Sequence, residues 1–344
     1  CEHLPRTYAA QVEALVTQLQ ILLQDKPSTS VLVQLVVPEL GAQQMAAGLS
    51  GLLKSAQREH PKLVAQVIAL DREDDVEGLA AKLRENSRSA QDTQIRYAEG
   101  ERQVLGWSEL IAVEPVKPWQ AGGVYLITGG LGGLGRIFAR EIAQQAQGAT
   151  LVLTGRRALD EPGRQGVREL EALGATVQYR TLDVADREAV HQLMQQVQES
   201  HAALNGIIHS AGLIRDGLLL KKTQSDIEAV LAPKVAGLIH LDEASRDIEL
   251  DCFLCFSSLA AVHGNLGQAD YAAANGFMDA YAAYRNSLVA IGQRHGQTLS
   301  LNWPLWLSGG MQIDPAVAKV MERTTGMVPM RSESGIQALY RALA

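Results

Sequence analysis

The stretch "VYLITGGLGGLG", residues 124–135, joins a short apolar run to a cluster of glycines. The run "VYLIT" predicts a buried strand, and the residues after the glycines predict a helix. Gly129, Gly133 and Gly135 allow the backbone to turn sharply and to approach a pyrophosphate, which the amino terminus of the helix then faces. A glycine-rich turn without a ligand is the alternative. The strand before the motif and the helix after it favour a dinucleotide-binding turn.

Strands and helices alternate regularly from this motif to the end of the chain. Amphipathic segments of helical length separate the apolar runs "VYLIT", "TLVLT", "TVQYR", "GIIHS", "CFLCFS" and "TLSLNW". The alternation predicts an α/β fold, a Rossmann-like doubly wound parallel sheet with helices on both faces. Ligands bind beyond the carboxyl ends of the strands in such a sheet, and each motif described below lies at such an end.

The first part of the chain is also predicted to be α/β. "YAAQVEALVTQLQILLQ" and "MAAGLSGLLKSAQRE" each place apolar residues on one helical face, and "SVLVQLVV" and "LVAQVIAL" predict buried strands. "IRYAEGERQVLGW" predicts a hairpin that turns at Glu99-Gly100. None of these strands is followed by a glycine-rich turn, so we expect no nucleotide to bind here.

Residues 107–123 contain Pro115, Pro118 and paired glycines, a composition typical of a linker. We therefore predict two subdomains. The first, at residues 1–115, is expected to bind no cofactor and to pack against the second, at residues 116–344, which carries the nucleotide-binding turn.

Composition argues against several classes of function. The 344 residues carry a net charge of -7 with no basic run interleaved with aromatics, which argues against a nucleic-acid partner. No apolar stretch reaches membrane-spanning length and no signal peptide opens the chain, so we expect no membrane partner. The cysteine usage does not suggest disulfides, which fits a cytoplasmic location. The chain begins without Met, which suggests a piece of a longer protein.

Two of the three cysteines, Cys252 and Cys255, form a C-x-x-C motif. They lie in an apolar run that predicts a buried strand, where residues three apart point to opposite faces. Two core cysteines are therefore favoured over a metal or redox site, and we expect neither a metal nor disulfides.

The residues after the second strand bear on the choice of cofactor. An acidic residue there would bind the ribose 2′-hydroxyl of NAD, whereas this chain has Arg156 and Arg157. Guanidinium groups at this position suit a 2′-phosphate and favour NADPH; two solvated surface arginines are the alternative. The candidate cofactor-binding residues at these strand ends are Thr128, Gly129, Gly133, Leu134, Gly135, Arg156, Arg157, Asp183, Val184, Ser210, Ala211 and Gly212.

"SLAAVHGNLGQADYAAANGF", residues 258–277, carries the candidate reacting groups. Ser258 ends the fifth predicted strand, Tyr271 opens a helix, and Asn275 lies one turn further on the same face. A lysine at the position of Asn275 is expected of a short-chain oxidoreductase, and the nearest candidate here is Lys234, on the preceding helix. A free phenol has a pKa near 10, and an ammonium beside it lowers that pKa whichever helix carries it. Each of these residues also has an ordinary structural role open to it, as a cap, a core tyrosine, a surface amide or a solvated lysine.

The chain closely resembles the ketoreductase (KR) domain of a modular type I polyketide synthase, in the short-chain dehydrogenase/reductase superfamily. The motifs that carry the resemblance are "TGGLGGLG", "HSAG", "PKVAG", "FSSLAAVHGNLGQADYAAANGFMDAY" and "LNWPLW". In this family the lysine lies upstream and an asparagine follows the tyrosine. "GLLKSAQREHPKLVAQVIALD" resembles the family's structural subdomain, a truncated Rossmann-like unit without a cofactor that packs against the catalytic subdomain. "KKT" at 221–223, together with "GNLGQADYAAANGFMDAY" and "NWPLW", is most like reductases of synthases whose acyltransferase is a separate protein.

The resemblance implies a reaction. NADPH would reduce the β-keto group of an acyl chain tethered to an acyl carrier protein, and other domains of the same bacterial synthase would be further partners. Tyr271 would protonate the developing alkoxide and Ser258 would hydrogen-bond the same oxygen. Lys234 would lower the pKa of Tyr271 and bind the nicotinamide ribose, and Asn275 would hold the lysine and a water relay. Lys234, Tyr271 and Pro304 are thus further candidate cofactor-binding residues.

The resemblance also bears on stereochemistry and on the end of the sheet. Asp216 alone matches the Leu-Asp-Asp motif of B-type reductases, and His263 stands where A-type reductases carry Trp, so we expect a D-configured hydroxyl. Met311 is a candidate substrate contact in a lid at 307–330. The family's sheet usually gains a last strand after the helix that begins near residue 332. The sequence ends at Ala344, inside or just after that helix, so we expect that strand either to be missing or to be supplied otherwise. A catalytically silent structural domain, an epimerising domain and a free-standing sugar or steroid dehydrogenase are the alternatives.

Overall fold

The computed structural model describes residues 3–39, 41–71, 75–110, 114–310, 318–319, 322–323 and 326–344. The helices are α1 (Leu4–Gln24), α2 (Ser50–Glu59), α3 (Val76–Ser87), α4 (Gly133–Gln145), α5 (Glu161–Ala172), α6 (Arg187–Ser200), α7 (Gln224–Leu231), α8 (Gly237–Ala244), α9 (Leu259–His263), α10 (Ala269–Ala290) and α11 (Ser332–Ala342). The strands are β1 (Val31–Pro38), β2 (Leu63–Leu70), β3 (Gln94–Ala98), β4 (Glu101–Val104), β5 (Val124–Thr128), β6 (Thr150–Gly155), β7 (Thr176–Thr181), β8 (Gly206–His209), β9 (Cys252–Ser258) and β10 (Gln297–Trp303).

The chain forms two compact units that interleave along the sequence. Unit 1 consists of Cys1–Glu109, Leu213–Ile239 and Ser257–Tyr284. Unit 2 consists of Leu110–Gly212, His240–Phe256 and Arg285–Ala344. The division at 115/116 into two consecutive subdomains stays a prediction.

Unit 1 contains a sheet of strand order β1-β2-β3-β4. The first three strands are parallel, and β3 pairs with β4 in an antiparallel hairpin. The hairpin turns at Glu99 and Gly100, as predicted, where φ is 54° and 85°. Two successive residues with positive φ match the twist of the flanking strands.

Helix α10 packs closely against the first part of the chain within unit 1. The apolar stripe of α1 is buried at Val12, Val16 and Leu19, and its Tyr8 hydroxyl donates to the Ala273 carbonyl of α10 at 2.8 Å. The predicted helix in "MAAGLSGLLKSAQRE" begins instead as a 3₁₀ helix, Gly41–Leu49, which continues into α2. Gly48 lies there against the backbone of Gly276 in α10, so the two main chains touch with no side chain between them.

Unit 2 contains a sheet of strand order β10-β9-β8-β5-β6-β7. Its registered pairs, β5 with β6 and β8, β6 with β7, and β8 with β9, are all parallel. Numbered from β5, this is the 3-2-1-4-5-6 order of a doubly wound dinucleotide-binding fold, with its switch point between β5 and β8. The predicted fold class is confirmed.

The core of unit 2 is rich in aromatic side chains. Phe138 of α4 packs against Phe256, Trp303 and Trp306, with ring centroids 4.8–5.9 Å apart. The two cysteines of β9 are buried, as predicted for core residues, and burial raises the pKa of Cys252 to about 12. Within the described ranges, no helix is both long and apolar enough to cross a membrane.

Candidate active site

Ser258 and Tyr271 meet in unit 1. Ser258 ends β9 and caps α9, its hydroxyl accepting from the Ala260 N–H at 3.2 Å. Tyr271 lies in the first turn of α10 and is 9% exposed. The two side chains are hydrogen-bonded to each other. A strand end and a helix start thus bring together two hydroxyls that are 13 residues apart in sequence.

Lys234 reaches the same place from a different helix. It lies in a π-turn, Ala232–Ala236, between α7 and α8, and is 3% exposed. Its Nζ lies 5.6 Å from the centre of the Tyr271 ring. π-Turns inside helices are frequent at functional sites because they redirect a side chain. The predicted convergence of ammonium and phenol is therefore present in unit 1.

Asn275 is fully buried one turn after Tyr271. Its Nδ2 donates to the Tyr271 carbonyl at 2.7 Å, and its own carbonyl accepts from the Ser257 hydroxyl at 3.2 Å. Its side-chain oxygen, Oδ1, has no hydrogen-bond partner among the described residues. A buried acceptor without a donor is costly, so Oδ1 is available to a donor such as water or an ammonium.

Burial raises the pKa of Tyr271 above its ordinary value of 10.0. Hydrogen bonds with the side chains of Ser258 and Asn275 act in the opposite direction and lower that pKa. The sequence analysis assigned the lowering to Lys234, and that assignment stays a prediction. Before reaction the buried phenol therefore keeps its proton at neutral pH.

The glycine loop of unit 2 connects β5 to α4. Gly129 has φ of +64°, which favours glycine, and a Cβ on it would lie 3.2 Å from the Ala211 backbone. A Cβ on Gly135 would lie 2.3 Å from the Gly129 carbonyl, so the tight turn excludes any side chain there. A Cβ on Gly133 would lie 1.9 Å from the Gly309 carbonyl. The sequence analysis linked Gly133 to an approaching pyrophosphate, whereas the backbone it meets here is that of Gly309.

Thr128 ties the loop to the strand beside it. Its hydroxyl is hydrogen-bonded to His209 Nδ1 at 2.9 Å and accepts from the N–H groups of Ser210 and Ala211 at 3.2 Å. The ends of β5 and β8 are thus fixed together at the switch point of the sheet.

A cleft of about 690 Å³ lies beside the glycine loop in unit 2. Arg156 and Arg157 line it and are exposed. Arg136 also lines it but is held by Glu169. No carboxylate of the described residues pairs with Arg156 or Arg157.

The donor groups of this region suit a nucleotide. Helix α4 starts at Gly133 with glycine as its cap, and no side chain in the described part of the chain caps it. Its first-turn N–H groups and the two unpaired guanidiniums can bind phosphate groups. The residues present therefore fit a dinucleotide that carries an additional phosphate.

The remaining cofactor candidates have structural contacts of their own. Asp183 accepts from the Ala185 N–H at 2.9 Å in the turn before α6, and the Val184 carbonyl is hydrogen-bonded to His240 Nδ1 at 3.1 Å. Neither residue lines the cleft beside the glycine loop. Leu134 packs against the apolar core of unit 2, Pro304 follows β10, and Gly212 follows Ala211.

Two of the stereocontrol candidates, Asp216 and His263, lie among the described residues and have different partners. Asp216 accepts from Gln268 Nε2 at 2.9 Å. His263 lines a separate groove with Lys54 and Arg58; burial and these two cations lower its pKa. Met311 and much of the predicted lid lie outside the described residues.

Sequence reasoning missed Asp270, which precedes Tyr271 and is fully buried with Lys222. The sequence did contain a signal: Lys222 and Asp270 carry opposite charges, and each lies close to a candidate site residue in an otherwise apolar stretch. Such a signal becomes persuasive only when the fold places the two side chains together.

Comparisons with known proteins place the chain in a family. The family model for the KR domain matches residues 123–308. Polyketide synthase PksN of Bacillus subtilis (strain 168) is 48% identical over 338 residues, which cover 98% of this chain and 6% of that protein. Polyketide synthase PksL of the same organism is 47% identical, over 97% of this chain and 7% of that protein. The chain therefore spans less than a tenth of the length of these curated relatives.

Solved structures are similar over the whole chain. The crystal structure of a ketoreductase domain from the bacillaene assembly line matches with a TM-score of 0.95 and 45% identity, covering 98% of this chain and 81% of that one. An N-terminal ketoreductase from the macrolactin assembly line matches with a TM-score of 0.79 and 33% identity, covering 96% of this chain and 64% of that one.

Proposed function

The chain belongs to the KR domain family of bacterial polyketide synthases, whose members are nicotinamide-dependent oxidoreductases, and we propose that it uses NADPH to reduce a β-ketoacyl thioester. The observation that carries the proposal is the meeting of Lys234, Ser258, Tyr271 and Asn275 in unit 1, the four residues to which the resemblance assigns the reaction.

Tyr271 is the proton donor in this proposal. Its buried phenol stays protonated until the ketone oxygen gains negative charge, and it then donates the proton to that oxygen. Ser258 donates a hydrogen bond to the same oxygen and fixes its position. When bound, the reduced nicotinamide supplies the hydride to the keto carbon.

Lys234 and Asn275 support the phenol. After the proton leaves, the phenolate is buried, and the Lys234 ammonium 5.6 Å from the ring centre stabilises its charge. The free Oδ1 of Asn275 accepts from a water or from the ammonium, which holds a path for the returning proton.

The preference for NADPH rests on Arg156 and Arg157. Two exposed guanidiniums without acidic partners in the described ranges lie in the cleft beside the glycine loop, where the adenosine 2′-phosphate would bind. Gly129 and Gly135 and the first-turn N–H groups of α4 would hold the pyrophosphate.

The substrate is proposed to be tethered to an acyl carrier protein and the product to be the D-configured hydroxyl of a B-type reductase. The relatives are long synthases, which supports carrier-protein and neighbouring-domain partners. Asp216, the one match to the B-type motif, is fixed by Gln268. A cytoplasmic location stays a prediction.

The decisive experiment measures NADPH oxidation with a β-keto thioester and determines the configuration of the alcohol. Tyr271→Phe should abolish most turnover and leave NADPH binding nearly intact, because only the acidic proton is lost. Tyr284→Phe, on the same helix, is the matched control and should keep full activity. Unchanged turnover in Tyr271→Phe would refute the acid assignment, and an L-configured product would refute the B-type assignment.

A further inference from the structure

Two adjacent lysines of unit 1 have opposite environments. Lys221 is exposed, whereas the Lys222 side chain is 2% exposed and its Nζ lies 2.8 Å from each oxygen of the Asp270 carboxylate. The Asp270 side chain is fully buried. Lys222 thus forms a buried ion pair with the residue that immediately precedes Tyr271.

The ion pair joins two segments that matter for the reaction. Lys222 Nζ also donates to the Arg215 carbonyl, next to Asp216. On the other side, Asp270 Oδ1 accepts from the Tyr271 N–H at 2.9 Å. One ammonium therefore connects the backbone at Asp216 to the backbone at Tyr271.

Further contacts hold the same two segments. Glu59 of α2 accepts from the N–H groups of Leu219 at 2.6 Å and of Gly267 at 3.0 Å. The Gly217 N–H donates directly to the Gly267 carbonyl at 3.0 Å. Gln20 of α1 donates to the Leu219 and Lys222 carbonyls at 2.9 and 3.0 Å. The turn that carries Lys222 is therefore fixed at both its side chain and its main chain.

Folding stability alone is a poor explanation for such a pair. Burying two charges costs several kcal/mol per ion. Well-packed apolar residues in the same place often give the folded protein equal or greater stability. Burial raises the pKa of Asp270 above its ordinary value, and the Lys222 ammonium opposes that rise. What the pair supplies that apolar residues do not is a fixed direction for both backbone segments.

We propose that Lys222 and Asp270 are positioning residues that hold Tyr271 and the Asp216 segment in one geometry. This inference rests on the proposed ketoreductase function. The pair sets where the phenol stands relative to the segment that selects the face of the ketone. Its loss therefore lowers kcat and mixes the configurations of the alcohol, and it leaves NADPH binding unchanged.

The test compares Lys222→Met, Asp270→Asn and the double variant with wild type. Asp270→Asn keeps an acceptor for the Tyr271 N–H, and the double variant leaves no buried charge unpaired, so it should fold when a single variant does not. Lys221→Met is the control for losing a lysine. Arg294→Met is the control for weakening a buried ion pair, because it removes one of the two arginines bound to Asp242 in unit 2.

Each variant is assayed for thermal unfolding, NADPH affinity, kcat, KM and the ratio of the two alcohol configurations. We expect the folded double variant to bind NADPH like wild type, to lose about ten- to a hundredfold in kcat and to give a mixed product. Both controls should keep the wild-type kcat and product. A double variant with wild-type kcat and a single product configuration would overturn the inference. Wild-type protein that does not reduce any keto thioester would instead overturn the proposed function.

Discussion

A methyl group added at Gly276 tests how closely α10 is held in unit 1. Gly276 follows Asn275 and lies five residues after Tyr271 on the same helix. A Cβ there would lie 2.3 Å from the Gly48 carbonyl oxygen and 3.0 Å from the Gly48 Cα, whereas ordinary contacts begin near 3.4 Å. Both neighbours are backbone atoms, so no side chain can move aside. The two main chains must separate by about 1 Å.

This displacement sets the size of the expected effect. Overpacking of a close contact costs about 1–3 kcal/mol of unfolding free energy. A shift of about 1 Å in a reacting group costs on the order of a hundredfold in rate. Gly276→Ala should therefore lower kcat about a hundredfold through Tyr271 and lower the unfolding midpoint.

The assay measures kcat with NADPH and a β-keto thioester, together with urea unfolding. Gly166→Ala in α5 is the matched control, because a Cβ there would meet Leu131 at an ordinary 3.5 Å. The unfolding free energy of that control should rise by about 0.5–1 kcal/mol, because alanine has a higher helix propensity than glycine, and its activity should be unchanged. Wild-type kcat and stability in Gly276→Ala would refute the idea that contact with Gly48 fixes the position of Tyr271.

Three further outcomes are expected. Arg156→Ala should weaken NADPH binding far more than NADH binding in fluorescence titrations, and equal losses would contradict the 2′-phosphate contact. Tyr340→Phe removes the hydroxyl that donates to the buried Glu141 carboxylate at 2.5 Å, so urea unfolding should show a loss of about 1–3 kcal/mol, and an unchanged midpoint would contradict this. Burial lowers the pKa of Lys54 to about 8, whereas in the unfolded chain its pKa is about 10.4. The buried ammonium therefore lowers the unfolding free energy fully below about pH 8, and this cost disappears as the pH rises toward about 10.4. Wild type should therefore gain stability relative to Lys54→Met between pH 8 and pH 10, and a constant difference would argue against the lowered pKa.

Features with a local signal were predictable from sequence. Most strands of both sheets follow from short apolar runs, and the turn at Glu99-Gly100 follows from two residues that tolerate positive φ. The burial of Cys252 and Cys255 follows from the strand around them. The glycine loop was recognisable because its spacing is itself a backbone requirement.

Features that depend on distant contacts were not predictable. The 3₁₀ segment Gly41–Leu49 lets Gly48 touch Gly276, and the sequence of this segment does not indicate that contact. The Lys222–Asp270 pair joins residues 48 apart, and an exposed lysine beside it gives the same local signal. Long-range partners of this kind are set by tertiary packing, which local propensity does not encode.

In this chain the lysine precedes Tyr271 and the asparagine follows it. This order is explained if burial and the ammonium act on Tyr271 at different stages of the proposed reaction. Burial raises the pKa of Tyr271 and so keeps the proton on the phenol before the ketone is reduced. The same burial would make the phenolate left behind costly, because a charge in an apolar site loses its solvation. An ammonium offsets that cost through space, and its effect depends on distance to the ring and not on which helix carries it. Lys234 meets this requirement from a π-turn that precedes Tyr271 in sequence. The position one turn after the tyrosine can therefore hold Asn275, whose Oδ1 has no partner among the described residues and can accept a hydrogen bond.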